Sequence, residues 1–134
     1  MTFTGFSVSL PITDRQASHD FYSDGFGLPA VGEIASDGLP EPLQFDVGNG
    51  VLIILVPTGG FDWAIGERRM ADDQAVSTVL ELAVEDSTQV TAAFDRAVAA
   101  GGTPVASPAA QPWGMTSATV ADPDGHLWLI TSPA

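Results

Sequence analysis

The stretch Phe6-Ser7-Val8-Ser9-Leu10-Pro11-Ile12-Thr13-Asp14 decides how the rest of the chain is read. Phe6, Val8, Leu10 and Ile12 alternate with Ser7, Ser9, Pro11 and Thr13, and a period of two marks a strand with one apolar face. Thr13 or Asp14 can then cap a helix, with Gln16 three residues beyond Thr13 as a capping-box partner. Ala17 and Phe21 lie four apart, as do Ser18 and Tyr22, so each pair shares a helix face. Gly25 and Gly27 stop the helix.

The same pattern returns 72 residues later. Val8 maps to Leu80, Leu10 to Leu82, Ile12 to Val84 and Asp14 to Asp86. An alternating strand again runs into an Asp cap, with Gln89 three residues on. Val90, Ala93, Phe94, Ala97 and Val98 follow at the spacing of an amphipathic helix, and Gly101-Gly102 ends it. Strand material comes after each helix. Residues 43–47 and 51–56 flank Gly48-Asn49-Gly50, a hairpin signal. Residues 115–121 and 127–131 flank the turn Asp122-Pro123-Asp124-Gly125. Shorter strands are expected at 29–35 and 103–107.

Each half therefore reads β-α-β-β-β. The expected class is α+β: two tandem βαβββ modules forming curved mixed sheets around a trough, with helices on the outer faces. One domain spans 1–134, with module one at 1–57, a connector at 58–76 and module two at 77–134. The connector carries Gly59-Gly60 and a predicted helical turn near 65–70. A loop of this length in a compact domain usually has a task such as closing a pocket.

Composition narrows the function classes. Seventeen acids face 4 bases, all arginines, for a net charge of −13. Such a surface repels nucleic-acid phosphates and anionic membranes and favours cationic ligands; it also serves solubility alone. There is no cysteine, which excludes disulfides, thiolate metal sites and a Cys nucleophile. There is no lysine, which closes Schiff-base chemistry. No nucleophile-elbow or phosphate-loop motif occurs, and Gly25–Gly27 and Gly48–Gly50 read as turns rather than dinucleotide fingerprints. No 18-residue apolar run occurs, and the start Met-Thr-Phe-Thr-Gly lacks signal-peptide character, so a cytoplasmic protein is expected.

The residues now on the page resemble the vicinal-oxygen-chelate superfamily: glyoxalase I, bleomycin-resistance proteins, fosfomycin-resistance enzymes and extradiol dioxygenases. Residues 10–22, Leu-Pro-Ile-Thr-Asp-Arg-Gln-Ala-Ser-His-Asp-Phe-Tyr, resemble its strand-to-helix opening. Leu80-Glu81-Leu82-Ala83-Val84-Glu85-Asp86 resembles the start of its second module. Ala121-Asp122-Pro123-Asp124-Gly125-His126-Leu127-Trp128 resembles the hairpin before its last strand, and Pro112-Trp113-Gly114 is similar to actinobacterial glyoxalase-like members. The resemblance spans nearly the whole chain.

In metal-binding members, the resemblance implies, His, Glu or Gln ligands project from four strands into the trough. The corresponding positions here are Ser7, Ile54, Val79 and Leu129. One hydroxyl and three aliphatic side chains cannot hold a divalent ion, which needs imidazole or carboxylate donors. A shift of one residue offers Phe6 or Val8, Ile53 or Leu55, Thr78 or Leu80, and Trp128 or Ile130, none of which restores a donor set. No metal and no other cofactor is expected.

Strand alternation puts Glu81 on the trough face with Val79 and Ala83, at the position that matches Ser9 of the first half. A carboxylate there can act as a general base or hold a cationic group, or it can simply meet water or an arginine. Phe61, Trp63, Trp113 and Met115 sit in or beside loops. They read either as a stacking surface for a flat ligand or as a core plug between modules. Trp128 reads as core. His19, facing solvent on the first helix, and His126, beside the hairpin, read as surface or packing residues.

The expected function is metal-free binding of a small aromatic or cationic compound, by Ser7, Ser9, Ile54, Phe61, Trp63, Val79, Glu81, Trp113, Met115 and Leu129. The resemblance to the bleomycin-resistance branch, whose theme is antibiotic resistance, implies a homodimer with ligand held between protomers. The alternative is a glyoxalase-like lyase or a dioxygenase-like enzyme, either metal-dependent or using Glu81 as catalytic base. A domain without any ligand is the third reading.

Overall fold

The computed structural model describes all of residues 1–134. Eight strands and three helical segments alternate as the repeat predicts. Module one comprises β1 (Phe6–Ile12), α1 (Arg15–Asp20), β2 (Ala30–Val31), β3 (Leu43–Gly48) and β4 (Val51–Pro57). A short α2 (Asp62–Ile65) lies in the connector. Module two comprises β5 (Val79–Ala83), α3 (Ser87–Ala99), β6 (Thr103–Ala110), β7 (Met115–Ala121) and β8 (Leu127–Pro133). No helix is long and apolar enough to cross a membrane.

The strands form two separate four-stranded mixed sheets with orders β1-β4-β3-β2 and β5-β8-β7-β6. The internal symmetry extends to the pairing register. Ser9 pairs with Ile54 and Leu10 with Leu55 in the parallel β1–β4 ladder; Glu81 pairs with Leu129 and Leu82 with Ile130 in β5–β8. The antiparallel ladders repeat as well, Phe45–Ile53 corresponding to Val120–Trp128. The two modules thus share one architecture, pair for pair.

The helix caps resolve the alternatives that the sequence leaves. Asp14 caps α1, its Oδ1 accepting from the Ala17 amide at 3.0 Å. Gln16 turns outward and donates to Asp20 instead of closing a capping box. In module two the amide of Gln89 donates to Asp86 Oδ1, and Gln89 Oε1 accepts from the Glu85 amide, both at 2.9 Å. After Asp20 the helix widens into a π turn over Phe21–Gly25. That widening places the adjacent Phe21 and Tyr22 both in the core.

Four sequence expectations need correction. The short strand expected at 29–35 is only Ala30–Val31, because Gly32 at φ +118° breaks the extended run. The strand expected at 103–107 runs on to Ala110 despite Pro104 and Pro108. It is an edge strand with two register shifts, where a missing amide donor costs little. The helical turn lies at Asp62–Ile65 and not at 65–70, since Gly66, at φ +66°, ψ −128°, ends it. His19 is half-buried against the Phe45 ring, 5.9 Å between centroids, and does not face solvent freely.

α1 and α3 cover one face of each sheet, and there the modules meet. A single apolar cluster joins Leu10, Phe45 and Ile53 of module one to Phe94, Val120 and Trp128 of module two. Trp128 is 2% exposed and packs edge-on against Tyr22, ring centroids 5.7 Å apart. Gly102 serves this contact: a Cβ there would stand 2.7 Å from Val120 Cγ2 and 2.8 Å from Phe21 Cε1. The opposite face of each sheet has no helix on it.

Candidate functional site

On the open face of the first sheet lie Ser7, Ser9, Leu52, Ile54 and Gln44. Alternation selects them, and the ladders set Ser7 opposite Leu52 and Ser9 opposite Ile54. Ser7 and Ile54 are thus diagonal neighbours. The second sheet repeats the arrangement, with Val79 opposite Leu127 and Glu81 opposite Leu129, so Val79 and Leu129 form the matching diagonal. Ile54 and Leu129 are half-buried, Ser7 and Ser9 exposed, and Val79 is 50% exposed.

Glu81 occupies the open face that alternation assigns to it. It is exposed, and the Thr131 hydroxyl donates to its Oε2 at 2.9 Å. Of the two loop tryptophans neither is a core plug: Trp63 is 90% exposed, with Nε1 donating to the Gly60 carbonyl, and Trp113 is 71% exposed. Phe61 and Met115 are half-buried, Met115 at the start of β7 opposite Pro133. The β1 and β5 strands do not pair with each other; each is a free edge of its sheet. Within one chain, therefore, Ser7, Ser9 and Ile54 lie on one open face and Val79, Glu81 and Leu129 on the other.

No three His, Asp or Glu side chains converge anywhere in the chain. The open faces carry one hydroxyl and three aliphatic groups at the four implied ligand positions. This donor set does not fit a divalent ion.

A family model for the glyoxalase/bleomycin resistance protein/dioxygenase superfamily matches residues 6–130. The chain belongs to that superfamily. Among solved structures, a glyoxalase-related enzyme from Fulvimarina pelagi is 30% identical, with a TM-score of 0.81 over 98% of this chain and 88% of that one. A glyoxalase/bleomycin resistance protein/dioxygenase from Nocardioides is 21% identical, with a TM-score of 0.73 over 99% and 85%. TioX from Micromonospora sp. ML1 is 25% identical, with a TM-score of 0.64 over 98% and 100%. Among curated proteins none matches significantly.

What the sequence reading of this superfamily member missed lies at the junction of its modules. The Asp122–His126 turn docks onto the β1–α1 corner of module one. Asp124 Oδ1 accepts from the Thr13 amide at 3.0 Å and the Thr13 hydroxyl at 2.9 Å. His126 Nε2 lies 2.7 Å from the Pro11 carbonyl. A carbonyl only accepts, so Nε2 carries the proton. Behind them Tyr22 donates its hydroxyl to Asp122 Oδ2, and the Trp128 Nε1–H donates to the Tyr22 oxygen at 3.0 Å. Burial raises the Asp122 carboxyl above its usual range, opposed by the bond from Tyr22. Burial, then the Asp122 charge, raises the Tyr22 phenol well above its usual value.

Beside this clamp is a cavity of about 520 Å³. β1 forms one wall and the start of β5 another; connector residues cross it and the Asp122 turn closes one end. Of the sequence-predicted binding residues only Ser9 lines it. No local signal marks the cavity, because its walls come from four distant segments.

Proposed function

We propose that this protein binds a small aromatic or cationic molecule without a metal ion, on the open faces of its sheets, and that two copies of the chain join those faces into a shared trough. The observation that carries the reading is the matched pair of open faces. Each presents the same diagonal of residues in the same register, and each ends in an unpaired edge strand. Free edges invite pairing with another chain. The exposed apolar groups on them, Phe6 at 66% and Val79 at 50%, support a partner there. Trp63 and Trp113 supply exposed indoles for a flat ligand, and Glu81 a carboxylate for a cationic one.

Metal analysis of the purified protein tests the reading. Less than about 0.1 ion per chain is expected, since aliphatic groups give no coordination; a stoichiometric ion would sink it. Sedimentation is expected to give twice the 13.9 kDa chain mass. Titration with planar and cationic compounds should quench the exposed tryptophans, and the change should be lost in Trp63→Phe combined with Trp113→Phe. Silence across the panel counts against binding.

A metal-free enzyme with Glu81 as base is the second reading. The Thr131 hydroxyl, which orients the Glu81 carboxylate, favours it. Glyoxalase turnover that survives a chelator and falls at least about a hundredfold in Glu81→Gln would establish it over simple binding.

A further inference from the structure

The geometry points to a second ligand site, at the inner margins of the open sheet faces: the cavity between the modules takes a small molecule with an aliphatic body and a protonated amine. At about 520 Å³ the cavity lies within the range of small-molecule sites. Val8 and Leu10 of β1, Leu80 of β5, Leu127 of β8 and Met70 of the connector give it apolar walls. No Phe, Tyr or Trp lines it, so an aliphatic body matches it better than a large flat ring.

Its polar groups select the other end of the ligand. Asp72, Asp73, Asp124 and His126 line the cavity, and no arginine does. Asp124 is taken up by Thr13 and Ser18. The Asp72 carboxylate accepts only from the Gln74 amide, and the Asp73 carboxylate accepts nothing from the protein. His126 spends its Nε2–H on the Pro11 carbonyl, and its Nδ1 has no partner in the chain. Acceptors without donors, on a chain of net charge −13, complement an ammonium group and repel a carboxylate or phosphate. The acidic wall is held in position: a Cβ on Gly125 would stand 2.5 Å from the Asp73 carbonyl oxygen, so the connector lies directly on the turn.

The test uses cyclohexylmethylamine and its neutral counterpart cyclohexylmethanol, titrated into the full-length ¹⁵N-labelled protein at pH 7.5. Amide shifts are expected at Leu10, Leu80, Leu127 and His126. Because Asp72 and Asp73 are exposed, the amine should bind only about fivefold tighter than the alcohol, an advantage that salt reduces. Asp73→Asn should remove most of that advantage. Thr78→Trp, at an exposed position on the cavity wall, should abolish the shifts for both compounds while the rest of the spectrum stays in place. Equal binding of amine and alcohol overturns the ligand class. Absence of shifts at these residues, or shifts that persist in Thr78→Trp, overturns the site. Neither result bears on metal content or on Trp63 and Trp113, so this site and the open-face reading fail separately.

Discussion

Asp122→Ala is expected to cost roughly 3–4 kcal/mol, as for a broken buried hydrogen-bond network that leaves a polar group unsatisfied, and so to lower the melting temperature by roughly 10–15 °C. Asp122 is 2% exposed and anchors the turn on which the modules meet. Its Oδ1 accepts from the amides of Asp124 and His126, each at 2.9 Å, and its Oδ2 from Tyr22. Alanine leaves the Tyr22 hydroxyl without an acceptor in the core, and an unmade buried bond carries the full desolvation cost of the group. It also releases the turn that holds Asp124 against Thr13 and His126 against Pro11. Thermal unfolding followed by circular dichroism measures the loss. A shift of less than about 3 °C, under 1 kcal/mol for a chain this size, would show that the clamp contributes little.

Asp122→Asn separates charge from hydrogen bonding. The amide oxygen can still accept from the two turn amides, but the Tyr22 hydroxyl proton loses its acceptor. A cost of about 1–2 kcal/mol is expected. The difference depends on pH with a definite sign. Burial raises the folded-state carboxyl above the unfolded value of 3.8. The native state therefore holds the proton more tightly, and this group's contribution to stability is full below the unfolded value and falls as pH rises through the folded one. Asparagine has no such slope. The gap between wild type and Asp122→Asn should narrow as pH rises from about 4 through the raised folded-state value, then stay constant. A gap that widens over that interval would show that burial does not raise the carboxyl in the folded state.

The legible and illegible parts of this molecule differ in range. Alternation at Phe6–Ile12, the caps at Asp14 and Asp86 and the helix over Ser87–Ala99 are local patterns, and the 72-residue repeat turns one module into two. Local rules erred where a partner or a single glycine overrides them. β6 tolerates two prolines because it is an edge, and Gly66 decides where the connector turn stops. The clamp is illegible for a different reason. Thr13 and Asp124 are 111 residues apart, and nothing in either segment names the other. The repeat even misleads here. The first-module turn, Gly48-Asn49-Gly50, carries Val47 where the second carries Asp122, so one hairpin clamps and its counterpart does not. Glu81 shows the same limit at the open face: periodicity finds its side of the sheet, but its exposure and its bond from Thr131 depend on neighbouring strands.

Installing donors at the four implied positions is expected to create a metal site only where two sheets meet. Within one sheet, Ser7 and Ile54 form one diagonal; within the other, Val79 and Leu129 form the second. The β1 and β5 edges are unpaired within the chain, so each open face alone carries only two of the four installed ligands. If two copies join their faces into a trough, Ser7→His, Ile54→Glu, Val79→His and Leu129→Glu together complete a set of two imidazoles and two carboxylates. Binding of Co²⁺ with a dissociation constant of about 1 µM or tighter, some −8 kcal/mol, is then expected. The visible absorption of the bound ion reports the coordination, at one ion per chain. The variant with only Ser7→His and Ile54→Glu should bind at least about a hundredfold more weakly, having lost two of the four ligands. Ion binding should also strengthen the dimer, since a ligand that spans two chains stabilises their association. The substituted positions are exposed or half-buried, so the core is untouched. A folded, dimeric fourfold variant that binds Co²⁺ no better than the double variant would overturn the shared trough.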